Sequence, residues 1–232
     1  MILFLNVEYA NAIFMEGNLI MVIQGRDGFS GEYAADLGKI SDLDLMHGTT
    51  ISTDLNLNLW GPAAYWDDLH VSFLAYDKSN RDAFLSSGGP QLTINGYFSR
   101  FSDAMDRICQ LYNNIGGGSS VFIPDAPSEG DSYWNQMNNL KGIGSAARFL
   151  AGGNIETNLS GFVNQGYVDQ TLWYFDDVDS IIDGEEYTLI RLNSDGSVDL
   201  AGGGPAPVPE PSTMLLVATG LIGFAGFRKK FK

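Results

Sequence analysis

Tyr187-Thr188-Leu189-Ile190-Arg191-Leu192 runs into Asn193-Ser194-Asp195-Gly196 and out again as Ser197-Val198-Asp199-Leu200. The first six residues are mostly aromatic, β-branched or aliphatic, side chains that suit a pleated, half-buried backbone. The next four are turn formers: Asn and Asp bond their own backbone, and glycine accepts φ > 0. A strand over 187–192, a turn and a return strand over 197–200 therefore make an antiparallel hairpin. It sets the expectation of a mainly β protein.

The pattern extends outward from this hairpin. Thr171-Leu172-Trp173-Tyr174-Phe175 reads as a strand, and so do the apolar runs over 18–24 and 71–76. Asp77-Lys78-Ser79-Asn80 turns the last of these toward 83–86, a second hairpin. Met105, Ile108, Leu111, Tyr112 and Ile115 recur at helical spacing, so 102–115 is expected to be an amphipathic helix capped by Ser102. A second helix is expected over 132–140, resuming over 145–150. Gly116-Gly117-Gly118-Ser119-Ser120 reads as a loop, and no internal repeat is visible. The expected fold is mainly β, an antiparallel β-sandwich-like ectodomain over 13–201 with one or two short helices.

Composition narrows the partners. The chain has 28 Asp+Glu against 13 Lys+Arg. Four of those cations lie at 228–232, so nine face all 28 carboxylates before Met214, a net charge of −19. Nucleic acid and anionic lipid surfaces repel such a domain. Cys109 is the single cysteine, which excludes an intramolecular disulfide and leaves stability to the core.

The end of the chain has a different character. Gly202 to Pro207 is a Gly/Pro linker, and Val208-Pro209-Glu210-Pro211 follows it. Pro207, Pro209 and Pro211 fix φ, remove amide donors and hold the backbone extended, a form that a processing enzyme can thread. An apolar helix is expected over 214–227, carried by Met214, Leu215, Leu216, Val217, Leu221, Ile222, Phe224 and Phe227. Its length, about 21 Å at 1.5 Å per residue, falls short of a hydrocarbon core of roughly 30 Å. Gly220, Gly223 and Gly226 favour close contact with a helix partner in the membrane. Arg228, Lys229, Lys230 and Lys232 form a basic stop that holds the end on the cytoplasmic side.

This order of acidic proline signal, apolar run and basic stop over 208–232 resembles the PEP-CTERM sorting tail of exported Gram-negative bacterial proteins. The resemblance implies recognition by a membrane-embedded exosortase, passage through an export translocon, transient anchoring in the inner membrane and delivery to the cell surface or extracellular matrix. Export calls for a signal peptide. Ile2-Leu3-Phe4-Leu5 and Ala10-Asn11-Ala12 fit the remainder of one over 1–12 with cleavage after Ala12, although Glu8 interrupts it and no cation precedes Arg26. The alternative is a first strand of the domain. Several stretches, among them Glu32-Tyr33-Ala34-Ala35-Asp36-Leu37-Gly38 and Trp66-Asp67-Asp68-Leu69-His70-Val71, are similar to a β-rich ectodomain that often precedes such tails. That similarity implies a secreted β-sandwich and no established activity.

Catalytic signals are sparse. Asp44 lies near His47, and Asp67 and Asp68 near His70, but no G-x-S-x-G turn accompanies these histidines. Cys109 sits on the apolar-patterned helix, where a buried small hydrophobe is the usual outcome. No catalytic residue is assigned and the chain is expected not to be an enzyme, a secreted hydrolase being the remaining alternative. Asp176, Asp177, Asp179 and Asp183 surround a strand connection with hard oxygen ligands that suit calcium, against a default of a solvated acidic loop and no metal or cofactor. Trp60, Tyr65, Trp66, Tyr133, Trp134, Trp173 and Tyr174 offer flat faces for sugar stacking, against a default of core filling. The function expected is a structural or adhesive role in an exopolysaccharide matrix, with a carbohydrate- or calcium-binding module as the alternative.

Overall fold

The computed structural model describes residues 14–25, 31–43, 48–60, 63–116, 118–137, 146, 149–150, 154–178 and 180–201. The expected signal peptide over 1–12, the linker over 202–207 and the tail over 208–232 lie outside them, as do Asp44, His47 and Asp179. The chain divides into a unit ending at Gly202 and another beginning at Gly203, and every described residue belongs to the first.

The strands are β1 Asn18–Gly25, β2 Glu32–Lys39, β3 Thr49–Ile51, β4 Leu69–Asp77, β5 Asp82–Ser87, β6 Thr93–Asn95, β7 Ser120–Ile123, β8 Thr157–Asn158, β9 Tyr167–Phe175, β10 Ile181–Asp183, β11 Glu185–Asn193 and β12 Val198–Ala201. The helices are α1 Phe98–Ile115, α2 Tyr133–Met137 and α3 Gly161–Gln165. A 10-stranded antiparallel sheet runs in the order β3-β12-β11-β9-β5-β4-β1-β2-β7, with β8 added beside β4 and β6 paired to β10 apart from it. Both expected hairpins are present. β11 pairs with β12 from Leu192↔Val198 to Leu189↔Ala201, and β4 pairs with β5 from Asp77↔Asp82 to Leu74↔Leu85. Gly196 takes φ +87°, and its amide donates to Asn193 O at 2.9 Å, the left-handed step that the turn between β11 and β12 requires.

The sheet curls. Laid flat, its nine-strand path would span roughly 38 Å at about 4.8 Å per strand. β3 lies at one edge and β7 at the other, yet three residues beyond Ile51 the Asp54 carboxylate reaches β2 and β7. Tyr33 Oη donates to Asp54 Oδ1 at 2.7 Å, and Ser120 Oγ donates to Asp54 Oδ2 at 2.7 Å. Three residues of extended chain cover about 10 Å. The two halves of the sheet thus turn toward one another, as the sheets of a sandwich do.

Each face of the sheet has its own core because alternation sends successive side chains to opposite sides. Leu19, Met21 and Ile23 of β1 join Tyr33, Val71, Phe73, Leu172, Ile190, Leu192, Val198 and Leu200 inside the curl. Ile20 and Val22 face the other way and pack with Leu74, Leu85, Trp173 and Phe175 beneath α1. α1 starts one turn earlier than expected. Phe98 and Phe101 extend the stripe of Met105, Ile108 and Tyr112 at spacings of three and four, and all five are buried. Ser102, expected to cap the helix, lies inside it and donates to Ser99 O at 3.1 Å. Phe101 stacks on Phe149 at 4.5 Å between ring centroids.

Candidate functional site

Glu32, the first residue of β2, is a fully buried acid. Glu32, Ala34 and Asp36 alternate onto the face that α1 covers, so the carboxylate enters the core. Tyr112 Oη of α1 donates to Glu32 Oε1 at 2.7 Å. The first two amides of α2 do likewise, Tyr133 N to Oε1 at 3.1 Å and Trp134 N to Oε2 at 2.9 Å. One carboxylate thereby fastens two helices to the sheet. The Tyr133 hydroxyl continues the network: it shares a 2.8 Å hydrogen bond with Ser72 Oγ and donates to Glu156 Oε1 at 3.2 Å. Gln24 Nε2 donates to the same Glu156 oxygen at 2.5 Å, and His70 Nδ1 lies 4.0 Å from Oε2.

Burial pushes the Glu32 carboxyl up from 4.5 to about 7, against the three donors that favour its ionised form. Burial also holds the Tyr112 and Tyr133 hydroxyls well above the ordinary phenol range, so both remain donors. A pH dependence follows from Glu32. Between about pH 4.5 and about pH 7 the folded chain holds a proton that the unfolded chain has lost, so stability falls as pH rises through that window. The shift corresponds to about 3 kcal/mol. Urea unfolding across the window should show this decline in the parent chain and lose it in Glu32→Gln, once the two curves are subtracted. Parallel curves would remove Glu32 as the titrating group.

The residues singled out in the sequence are dispersed. Asp183 ends β10 and accepts from Thr93 Oγ1 at 2.5 Å, Asp177 pairs with Arg81 at 3.7 Å, and Asp176 accepts from Tyr174 Oη at 3.4 Å. Among the described residues, no group of three His, Cys, Asp or Glu side chains is placed to hold a metal ion. His70 has Glu156 for its acidic neighbour, a residue 86 positions away in sequence. Cys109 is buried in α1 and burial pushes its thiol up to about 12, the condition of a core side chain.

Most of the aromatic candidates fill the interior. Trp60, Tyr133 and Trp173 are buried, and Trp66 and Trp134 are half-buried against the two cores. Trp60 Nε1 donates to Gly31 O at 3.1 Å, where a Cβ on Gly31 would come within 2.8 Å of that nitrogen. The Tyr65 side chain lies outside the described ones, and among the rest Tyr174 differs in belonging to an aromatic cluster that reaches the surface through Tyr187. The sequence singles out neither Glu32 nor Glu156, marks Tyr112 only as part of the apolar helix stripe, and does not set Tyr187 among the candidate rings.

Residues 207–230 match the family model of the PEP-CTERM protein-sorting motif. The chain carries a PEP-CTERM sorting motif. The match takes in Val208, Pro209, Glu210 and Pro211, the apolar run and Arg228 to Lys230. A PEP-CTERM motif marks an exported protein that a membrane-embedded exosortase sorts toward the cell surface. No curated protein matches the chain, and no solved structure matches it. Among the described residues, no helix is long and apolar enough to cross a membrane.

Proposed function

We propose that the β domain is a structural or adhesive component of the extracellular polysaccharide matrix, delivered there when an exosortase removes the PEP-CTERM tail. The sorting motif at 207–230 carries this reading, because export and sorting toward the cell surface suit a matrix component whatever its ligand. The strong acidity of the domain supports it as well, keeping the protein soluble and clear of anionic membrane once released. A non-enzymatic role is supported by the use made of the buried acid. Glu32 accepts three hydrogen bonds from α1 and α2 and so serves to hold elements together.

Fractionation of cells with a working exosortase tests the proposal. The processed domain should be recovered with the extracellular polysaccharide and released when that polymer is enzymatically degraded. Recovery of the processed domain free in the medium, with none retained by the polymer, would overturn the matrix role.

A further inference from the structure

Phe84 of β5, Tyr174 of β9 and Tyr187 of β11 form a three-ring cluster across neighbouring strands. Phe84 lies 5.0 Å from Tyr174 and 5.0 Å from Tyr187, and the two tyrosine rings are 6.0 Å apart. Phe84 is buried, Tyr174 is half-buried, and Tyr187 is 40% exposed. The β9–β11 register shifts between Glu186 and Thr188, so Tyr187 falls outside the paired register, and its ring lies beside Phe84 and Tyr174 at the surface. A part-exposed tyrosine beside two supporting rings makes an apolar corner open to solvent.

Carboxylates surround this corner. Glu185 is exposed and directly opposite Tyr174 in the ladder, so both side chains leave the sheet on one face. Asp176 is exposed and accepts from the Tyr174 hydroxyl at 3.4 Å. Burial, and then Asp82 beside it, raise that hydroxyl above its ordinary range, which keeps it protonated. Arg81, a nearby cation, is turned to Asp177 and to Val178 O, to which its Nη2 donates at 2.9 Å. The corner therefore combines an aromatic face with negative charge. A polyanionic glycan is repelled from it, whereas a sugar bearing an ammonium group gains on both counts: its C–H face lies on the ring, and its charge meets carboxylate and π-face.

We propose that the Tyr174/Tyr187 corner binds a polysaccharide segment bearing free amino groups. The site deepens the matrix role proposed above and rests on that reading for its setting, but the contact itself is independent of sorting. Titration of the full chain with a glucosamine hexasaccharide, at mildly acid pH and low salt, should show binding. Tyr187→Ala and Tyr174→Ala should each weaken it by about tenfold, and Glu185→Gln, which leaves the rings in place, by about threefold. The N-acetylated hexasaccharide, which has no charge, should bind about tenfold more weakly than the amine form. Thermal unfolding of Glu185→Gln and Tyr187→Ala close to the parent temperature should accompany those losses. The site is overturned if the parent chain does not bind the amine oligomer, if Tyr187→Ala and Glu185→Gln bind it as the parent does, or if the acetylated oligomer binds equally well. None of these outcomes alters the matrix fractionation, so the two proposals fail separately.

Discussion

Glu32→Ala should cost about 3–5 kcal/mol of folding stability near pH 5, where three donors lose their buried acceptor. The side chain is fully buried, and its removal strands the Tyr112 hydroxyl and the Tyr133 and Trp134 amides away from water. Each orphaned donor carries a desolvation penalty of about 1–3 kcal/mol. At about pH 8 the deficit should shrink by about 3 kcal/mol, because there the parent chain bears the cost of an ionised, buried carboxylate that the variant lacks. Urea unfolding at the two pH values measures both quantities. α2 should also loosen first, giving faster amide exchange at Tyr133 and Trp134 than at the strands. A loss below about 1 kcal/mol at acid pH would mean that the helices are held by apolar packing alone.

Local patterning made the strands and the long helix legible. The stretch 187–200 carries its own turn chemistry, and 71–86 does the same through Asp77, whose Oδ1 accepts from the Ser79 amide at 2.7 Å. The curl was not legible, because its sign is Asp54 reaching Tyr33 and Ser120 across the sheet, a long-range contact that the local alternation of Leu55, Leu57 and Leu59 with polar residues does not reveal. Glu32 was hidden for a related reason. In a strand where Tyr33, Ala35 and Leu37 alternate with Glu32, Ala34 and Asp36, the acidic face reads as the solvated one. It is buried because α1, supplied by residues 98–115, lies across it and brings Tyr112 to the carboxylate from 80 positions away. The aromatic residues show the same limit. Their composition suggested a binding face, but only the packing of the two cores determines that Trp60 and Trp173 are buried while Tyr187 reaches solvent. The sorting tail needs no such three-dimensional context. Its signal, apolar run and basic stop are read in order along the chain, which is why residues 207–230 are recognisable without a fold.

Two tail variants should fail in different ways. The prolines of Pro209-Glu210-Pro211 are expected to favour an extended backbone with one acidic side chain, so Glu210→Ala should remove a charge-assisted contact for an exosortase while leaving the apolar and basic residues of the tail unchanged. Its product should accumulate uncleaved in the inner membrane. If the basic residues hold the C-terminus on the cytoplasmic side, replacing Arg228, Lys229 and Lys230 together should give misoriented or prematurely released chain while keeping the recognition residues. Identical processing of both variants and the parent would break the separation between recognition and anchoring. The most direct test is the intact mass of the exported parent protein from hosts with and without an exosortase. The account predicts that the apolar run over 214–227 and the basic residues after it are missing from the product when the enzyme is present and retained when it is absent. A mature protein that keeps the whole tail in the exosortase-containing host, or has the same mass in both, would contradict it.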